Sequence, residues 1–175
     1  MAGEVAEVKI VEAKEEDWPW IMDSAFEVVM GAIGPERLKR VGEKKVREML
    51  ERHYTTIHSN PSMPDKAFIA FNPEGKKTGF VWVAKMQNQF TGDLEAFILD
   101  LFVPLEHRGK NVGRALIRAA EQHALSEGLT TIALSVGAHN SQARALYDAE
   151  GYCVESMRMI KTLVAGEDGR PCGPV

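Results

Sequence analysis

Residues 95–114 read EAFILDLFVPLEHRGKNVGR: an apolar run, then a turn that carries Arg108, Gly109 and Lys110, then the opening of a helix at Asn111–Arg114. A run so rich in apolar, branched and aromatic residues reads as a buried strand over 94–103. Strand, glycine-bearing turn and helix together make an anion site. The first amide N–H groups of a helix have no partner inside it, and the helix dipole favours negative charge at that end. Gly109 and Gly113 let backbone approach a ligand closely, while Arg108, Lys110 and Arg114 add positive charge. Taken alone, the same residues also describe an ordinary cationic loop capping a helix.

Outward from this stretch the chain alternates. Downstream, 111–128 is helical, with Val112, Ala115, Leu116 and Ala119 on one face, arginines on the other and Gly128 as terminator. TIALSV (131–136) predicts a strand, SQARALYDAE (141–150) a short helix closed by Gly151, and YCVESMRMIKTL (152–163) one or two strands. Residues 164–175 read as a disordered tail. Upstream, VKIVEA (8–13) predicts a strand and 15–30 a helix with acids and Pro19 at its start. Residues 36–58 predict one further helix, with Leu38, Val41, Val46, Met49 and Leu50 at helical spacing. AFIAF (67–71) and FVWVAKM (80–86) pair as a hairpin across NPEGKKTG. The order β-α-α-β-β-β-α-β-α-β-β describes an α/β (α+β) fold: a mixed sheet flanked by helices, with residues 1–163 as a single domain.

Bulk properties narrow the function. With 175 residues, 45% hydrophobic, the chain can bury a core without staples. A net charge of -4 and a pI near 5.8 argue against nucleic acid as partner, since phosphate backbones require a clustered basic surface. Cys153 and Cys172 form no CxxC or pairing pattern, which suits a reducing, cytoplasmic setting, and nothing in the sequence spells a metal-ligand set. No apolar run reaches the roughly 20 residues of a membrane span, and the N-terminus is acidic where a signal peptide is basic.

Together, VPLEHRGKNVGRAL (103–116) and NSQARALYDAEGY (140–152) resemble the two signature motifs of the GNAT superfamily of acyl-CoA-dependent N-acetyltransferases. The resemblance covers roughly residues 94–160 strongly and implies a mostly antiparallel sheet. It implies that the RxxGxG turn, here Arg108, Gly109, Lys110, Asn111, Val112 and Gly113 followed by Arg114, holds the CoA pyrophosphate. Asn111 stands at the first motif glycine; Asn tolerates left-handed backbone better than other non-glycine residues. The resemblance further implies that a splay near Leu101, Phe102 and Val103 frees backbone donors for an oxyanion. By the same resemblance Asn140 bonds the pantetheine arm, Ala143 and Leu146 pack inward, and Tyr147 points its hydroxyl at the thioester sulfur.

Amide formation sets three tasks: a neutral amine must attack, an oxyanion must be held, and a thiolate must leave. Tyr147 is the candidate general acid. Glu95 is the candidate base, with Asp100, His139 and a water relay as alternatives; strand alternation puts Glu95 and Leu99 on one face and Asp100 on the other. His53, His58, His107 and His123 read as surface or helix-face residues. Asp23 and Glu27, four apart on one helix beside Trp20, are candidates for attracting a cationic amine, or a solvated acidic face. The expected partners are acetyl-CoA and an amine acceptor: a small amine, a polyamine or a protein N-terminus. Neither a membrane nor nucleic acid is expected, and a homodimer is left open. The alternative is a non-catalytic acyl-CoA sensor or partner module on the same fold.

Overall fold

The computed structural model describes residues 8–161, in two compact units that divide after Ser135. In the first unit a five-stranded sheet runs in the order β1 (Lys9–Glu12), β2 (Asp65–Phe71), β3 (Lys77–Gln87), β4 (Leu94–Phe102) and β5 (Ile132–Leu134). The first four strands pair antiparallel, and β5 lies parallel to β4. A parallel neighbour cannot be reached by a tight turn, so the chain crosses over through α4 (Val112–Ser126).

β3 is the central strand and is buried on both sides. Phe80, Trp82 and Ala84 meet Ile21 and Ala25 of α1 (Trp18–Ala32) and Leu50, Tyr54 and Ile57 of α3 (Glu43–His58). Val81 and Val83 face the other way, onto Val112, Leu116, Ala120 and Ala124 of α4. The expected face of α4 is therefore right in phase, with the deepest line running through Leu116 and Ala120 and with Ala115 and Ala119 at its border.

One expected helix is two. Residues 36–58 divide into α2 (Pro35–Val41) and α3 at Gly42, which adopts φ 82, ψ 144, a conformation largely closed to residues with a Cβ. The break resets the phase: Val46, Leu50, Tyr54 and Ile57 are buried, while Val41 and Met49 are exposed.

The second unit holds α5 (Ser141–Ala149). Residues 152–161 form no strand, contrary to the expectation for 152–163. Val154, Met157, Met159 and Ile160 stand exposed, and among its described residues the unit holds no strand for them to pair with. The remainder of that expected segment, 162–163, and the tail 164–175 lie outside the described residues. Among the described residues no helix is long and apolar enough to cross a membrane.

Candidate active site

The site is built where β4 loses a neighbour. Its parallel register with β5 lasts for Ala96↔Ile132, Phe97↔Ala133 and Ile98↔Leu134, and there β5 ends. β4 continues to Phe102, so from Leu99 onward no strand among the described residues lies beside that edge. A backbone edge released inside a sheet offers fixed N–H donors, the kind of group that holds a developing oxyanion. Leu101 and Phe102 lie in this released stretch of β4, and Val103 follows it. Its far end is held from the β3 side: a Cβ on Gly79 would come within 2.6 Å of the Phe102 carbonyl oxygen and 3.2 Å of Val103 Cγ2. Only glycine permits that approach.

From Phe102 the chain passes through a 3-10 turn (Leu105–His107) into the glycine-bearing turn and α4. Arg108 Nε donates to the Val103 carbonyl at 2.9 Å, tying the turn to the strand end. Gly109 has φ 72 and Asn111 φ 61, ψ 7; among the described residues Asn111 is the one non-glycine with positive φ. Two left-handed residues in four reverse the chain so that it enters α4 with amide groups leading. Asn111 is the N-cap of α4, but its side chain makes no capping bond. The first amide N–H groups of α4 have no acceptor within the helix, and Lys110 directly precedes them, which is what a diphosphate requires. This geometry fits the group that the sequence motif implies.

In the second unit, Asn140 is the N-cap of α5, and its side-chain oxygen accepts from the Ala143 N–H at 3.1 Å. Ala143, Leu146 and Tyr147 form the half-buried face of that helix, and the Tyr147 ring lies 5.7 Å from that of Tyr152. His139 is exposed in the preceding turn.

The profile of the Acetyltransferase (GNAT) family matches residues 34–152, more than half of the chain. The chain belongs to the GNAT family of acetyltransferases. Among its relatives, the "Uncharacterized N-acetyltransferase YdgE" of Bacillus subtilis is 28% identical over 123 residues, covering 69% of this chain and 77% of the relative. A putative acetyl transferase from Pyrococcus furiosus superposes with a TM-score of 0.76 at 26% identity, covering 90% of this chain and 100% of that one. The aminoglycoside N-acetyltransferase AAC(6′)-Iy, solved in complex with CoA, shares the fold with a TM-score of 0.63 at 16% identity, over 94% of this chain and 99% of that one.

In this GNAT chain the β4 face differs from simple alternation. Trp82 pairs with Asp100 and Val83 with Ile98, so Leu99 is an extra residue, a β-bulge. The bulge puts Leu99 and Asp100 on the same face of the sheet, toward α1 and α3, where Glu95 and Phe97 also point. The expectation that Asp100 faces away from Glu95 is thus corrected. Asp100 is 5% exposed, and one of its carboxylate oxygens, Oδ2, accepts the hydroxyl of Tyr54, itself 5% exposed and set edge-on to Trp82 at 4.7 Å. Burial raises the Asp100 carboxyl to about 7, against the smaller opposing effect of the Tyr54 hydrogen bond. Tyr54 is pushed well above the usual phenol range, first by burial and then by the Asp100 charge and hydrogen bond.

These shifts have a consequence for stability. A folded carboxyl at about 7, against 3.8 as a reference, binds a proton that the unfolded chain has already lost, so stability falls as pH rises between those values. Asp100→Asn, which keeps an acceptor for Tyr54, is expected to raise Tm at pH 8, to raise it less at pH 5 and to leave it nearly unchanged at pH 3, below both values. The gain at pH 8 is on the order of a few kcal/mol. Thermal melts across this range check it; parallel curves for parent and variant would show that Asp100 is not held protonated by burial.

The other sequence-derived residues fall further apart. Glu95 is half-buried at the start of β4, opposite Met86, and accepts from Asn88 Nδ2 at 3.4 Å. Six residues of strand rise, about 20 Å, separate it from Leu101. Asp23 is exposed and paired with Arg47 Nη1 of α3 at 3.3 Å, while the Arg47 guanidinium lies over Phe26 at 3.9 Å. Glu27 is exposed on the same helix. Trp20, beside them, packs edge-on against Phe80 at 5.7 Å. Of the histidines set aside as surface residues, His58 bonds Asp65 at 3.0 Å and stacks on Trp18. Tyr54 was the residue sequence reasoning missed; its position eight after Val46 and four after Leu50 was the available signal.

Proposed function

We propose that this protein transfers the acetyl group of acetyl-CoA to a primary amine, by direct attack in a ternary complex, with residues 1–163 acting as one acetyltransferase domain. The observation that carries the reading is the release of β4 from β5 at Leu99, running directly into the uncapped turn at the head of α4. One edge supplies donors for the carbonyl oxygen and the adjoining turn supplies donors for a diphosphate; acyl-CoA is a ligand with both groups. The family match, which runs from 34 to 152, supports treating both units as parts of one domain. The CoA complex of the aminoglycoside acetyltransferase supports CoA as the acyl carrier.

In this reading Arg108 to Arg114 hold the pyrophosphate, Asn140 and Ala143 the pantetheine arm, and Leu101 to Val103 the carbonyl oxygen. Tyr147 protonates the departing thiolate; that role rests on its position in the NSQARALYDAEGY motif. Glu95, at the other end of β4 from the released edge, is the weaker base. Thiol release from acetyl-CoA, measured across a panel of small amines, polyamines and peptide N-termini, tests the proposal. Acceptor-dependent release establishes transfer, and CoA binding without release on any acceptor assigns the protein to acyl-CoA sensing instead.

For the acceptor, Asp23 and Glu27 are assigned the attraction of a cation. Because Asp23 already pairs with Arg47, the effect is modest. Asp23→Asn with Glu27→Gln is expected to raise the amine KM about threefold at low salt, less at high salt, and to leave the acetyl-CoA KM unchanged. Steady-state kinetics at two ionic strengths decide; identical amine KM values return both residues to a solvated surface.

A further inference from the structure

Gly79 is buried inside β3, where a branched or aromatic residue would serve the sheet better. Its backbone gives no reason for it: Gly79 is not among the residues with positive φ, so the conformation there is open to a residue with a Cβ. Space is the reason. A Cβ would lie 2.6 Å from the Phe102 carbonyl oxygen, 3.1 Å from Leu116 Cδ1 and 3.2 Å from Val103 Cγ2. The two side-chain ends can rotate aside, but the carbonyl belongs to the backbone. β3 cannot retreat from it, since on its other edge Gly79 pairs with Ala70 of β2, which is fully buried. The end of β4, beyond its last pair with β5, is the part that would give way. The same contact sets a direction. The Phe102 carbonyl points toward β3, and across a planar trans peptide the next N–H points the opposite way. The Val103 N–H is therefore directed away from β3, to the side where β5 has ended.

We infer that Gly79 is a positioning residue for acetyl transfer: by leaving room for the Phe102 carbonyl, it aims the Val103 N–H at the thioester carbonyl oxygen of acetyl-CoA. The inference rests on the acetyl-transfer reading, in which Leu101 to Val103 hold that oxygen, and it names a residue on a different strand, outside both signature motifs. A second tie acts on Val103. Its carbonyl accepts from Arg108 Nε at 2.9 Å, so the residue is fixed by β3 on one side and by the glycine-bearing turn on the other. A donor held in place beforehand needs no reorganisation as negative charge develops on the oxygen, and a small misplacement of it raises the barrier. Any Cβ at position 79 pushes the Phe102 carbonyl aside and turns the Val103 N–H with it, because the peptide moves as one plane. CoA without its acetyl group carries no such oxygen. Its binding therefore does not sense the change.

Gly79→Ala in the full chain tests this. Single-turnover transfer to the best amine should slow by at least about tenfold, while the Kd for CoA stays within about twofold of the parent. Infrared spectra of bound acetyl-CoA, labelled with ¹³C at the carbonyl, read the donor without any turnover. The carbonyl band should lie below that of the free thioester in the parent and return toward the free position in Gly79→Ala. Val103→Ala, alone and combined with Gly79→Ala, removes the Cγ2 contact and leaves the carbonyl contact in place. The combined variant should regain part of the lost Tm but none of the lost rate, so that alanine at 79 slows transfer by the same factor in both backgrounds. Recovery of the rate in the combined variant would make Gly79 a packing residue and overturn the inference. So would an unchanged rate and band in folded Gly79→Ala, equal losses of transfer rate and CoA affinity, or an unshifted band in the parent. A parent that transfers to no amine overturns the acetyl-transfer reading itself.

Discussion

Gly113→Asp is expected to abolish CoA binding in a protein that remains folded. Gly113 is the second residue of α4, in the group of amides that no capping side chain satisfies. A carboxylate there takes up the donors intended for the diphosphate and repels it. Like charges placed together at an interface cost several kcal/mol, and each 1.4 kcal/mol is tenfold, so CoA affinity should fall by about 10²-fold or more. The helix itself gains, since an acidic side chain in a first turn is favoured by the dipole. Loss of fold therefore does not confound the result, and circular dichroism confirms it. Asn111→Gly is the companion variant. Asn111 already holds φ 61, which glycine adopts freely, and the substitution removes the one side chain standing at the turn's apex. Binding equal to or tighter than the parent is expected by calorimetry. Unchanged CoA affinity in Gly113→Asp would remove the turn from the cofactor site altogether.

How far the sequence leads depends on which rule each segment obeys. The strand, turn and helix over 94–128 were legible because composition, glycine placement and 3.6-residue periodicity agree there, and the two motifs lie in their proper order. The left-handed Asn111 was foreseeable from the tolerance of Asn for that region. The bulge at Leu99 was not: ILDLF alternates in a regular way, and nothing in five residues marks which is extra. The warning was Asp100 itself, a charged residue inside the most apolar strand, and only the pairing of Trp82 with Asp100 shows which face it takes. Tyr54 was hidden by the continuous helix read over 36–58. Once Gly42 breaks that helix, Val46, Leu50 and Tyr54 fall at intervals of four and the tyrosine is on the buried side. At 152–161 the branched and sulfur-containing residues suit a strand, but strand structure needs a partner edge, which local composition does not encode.

Tyr147→Phe is expected to lower kcat by about 10²-fold, the lower end for a positioned general acid, because water substitutes in part and a CoA thiolate is a fair leaving group unaided. The substitution removes one oxygen. The ring stays against Tyr152 at 5.7 Å, and the backbone bond from the Tyr152 N–H to the Tyr147 carbonyl, 3.0 Å, does not involve the side chain, so α5 should keep its closing turn. A general acid acts on the sulfur only as negative charge develops there. Its loss therefore raises the barrier without weakening the ground-state complex, and the Kd for CoA should stay within about twofold of the parent. The pH profile reads this role as well: removing the phenol takes away the decline of kcat at high pH and leaves the acid limb in place. Solvent-isotope and burst measurements establish that chemistry limits turnover on the chosen amine. Parent-level kcat under that condition would make Tyr147 a packing residue of α5 and require another proton donor for the thiolate.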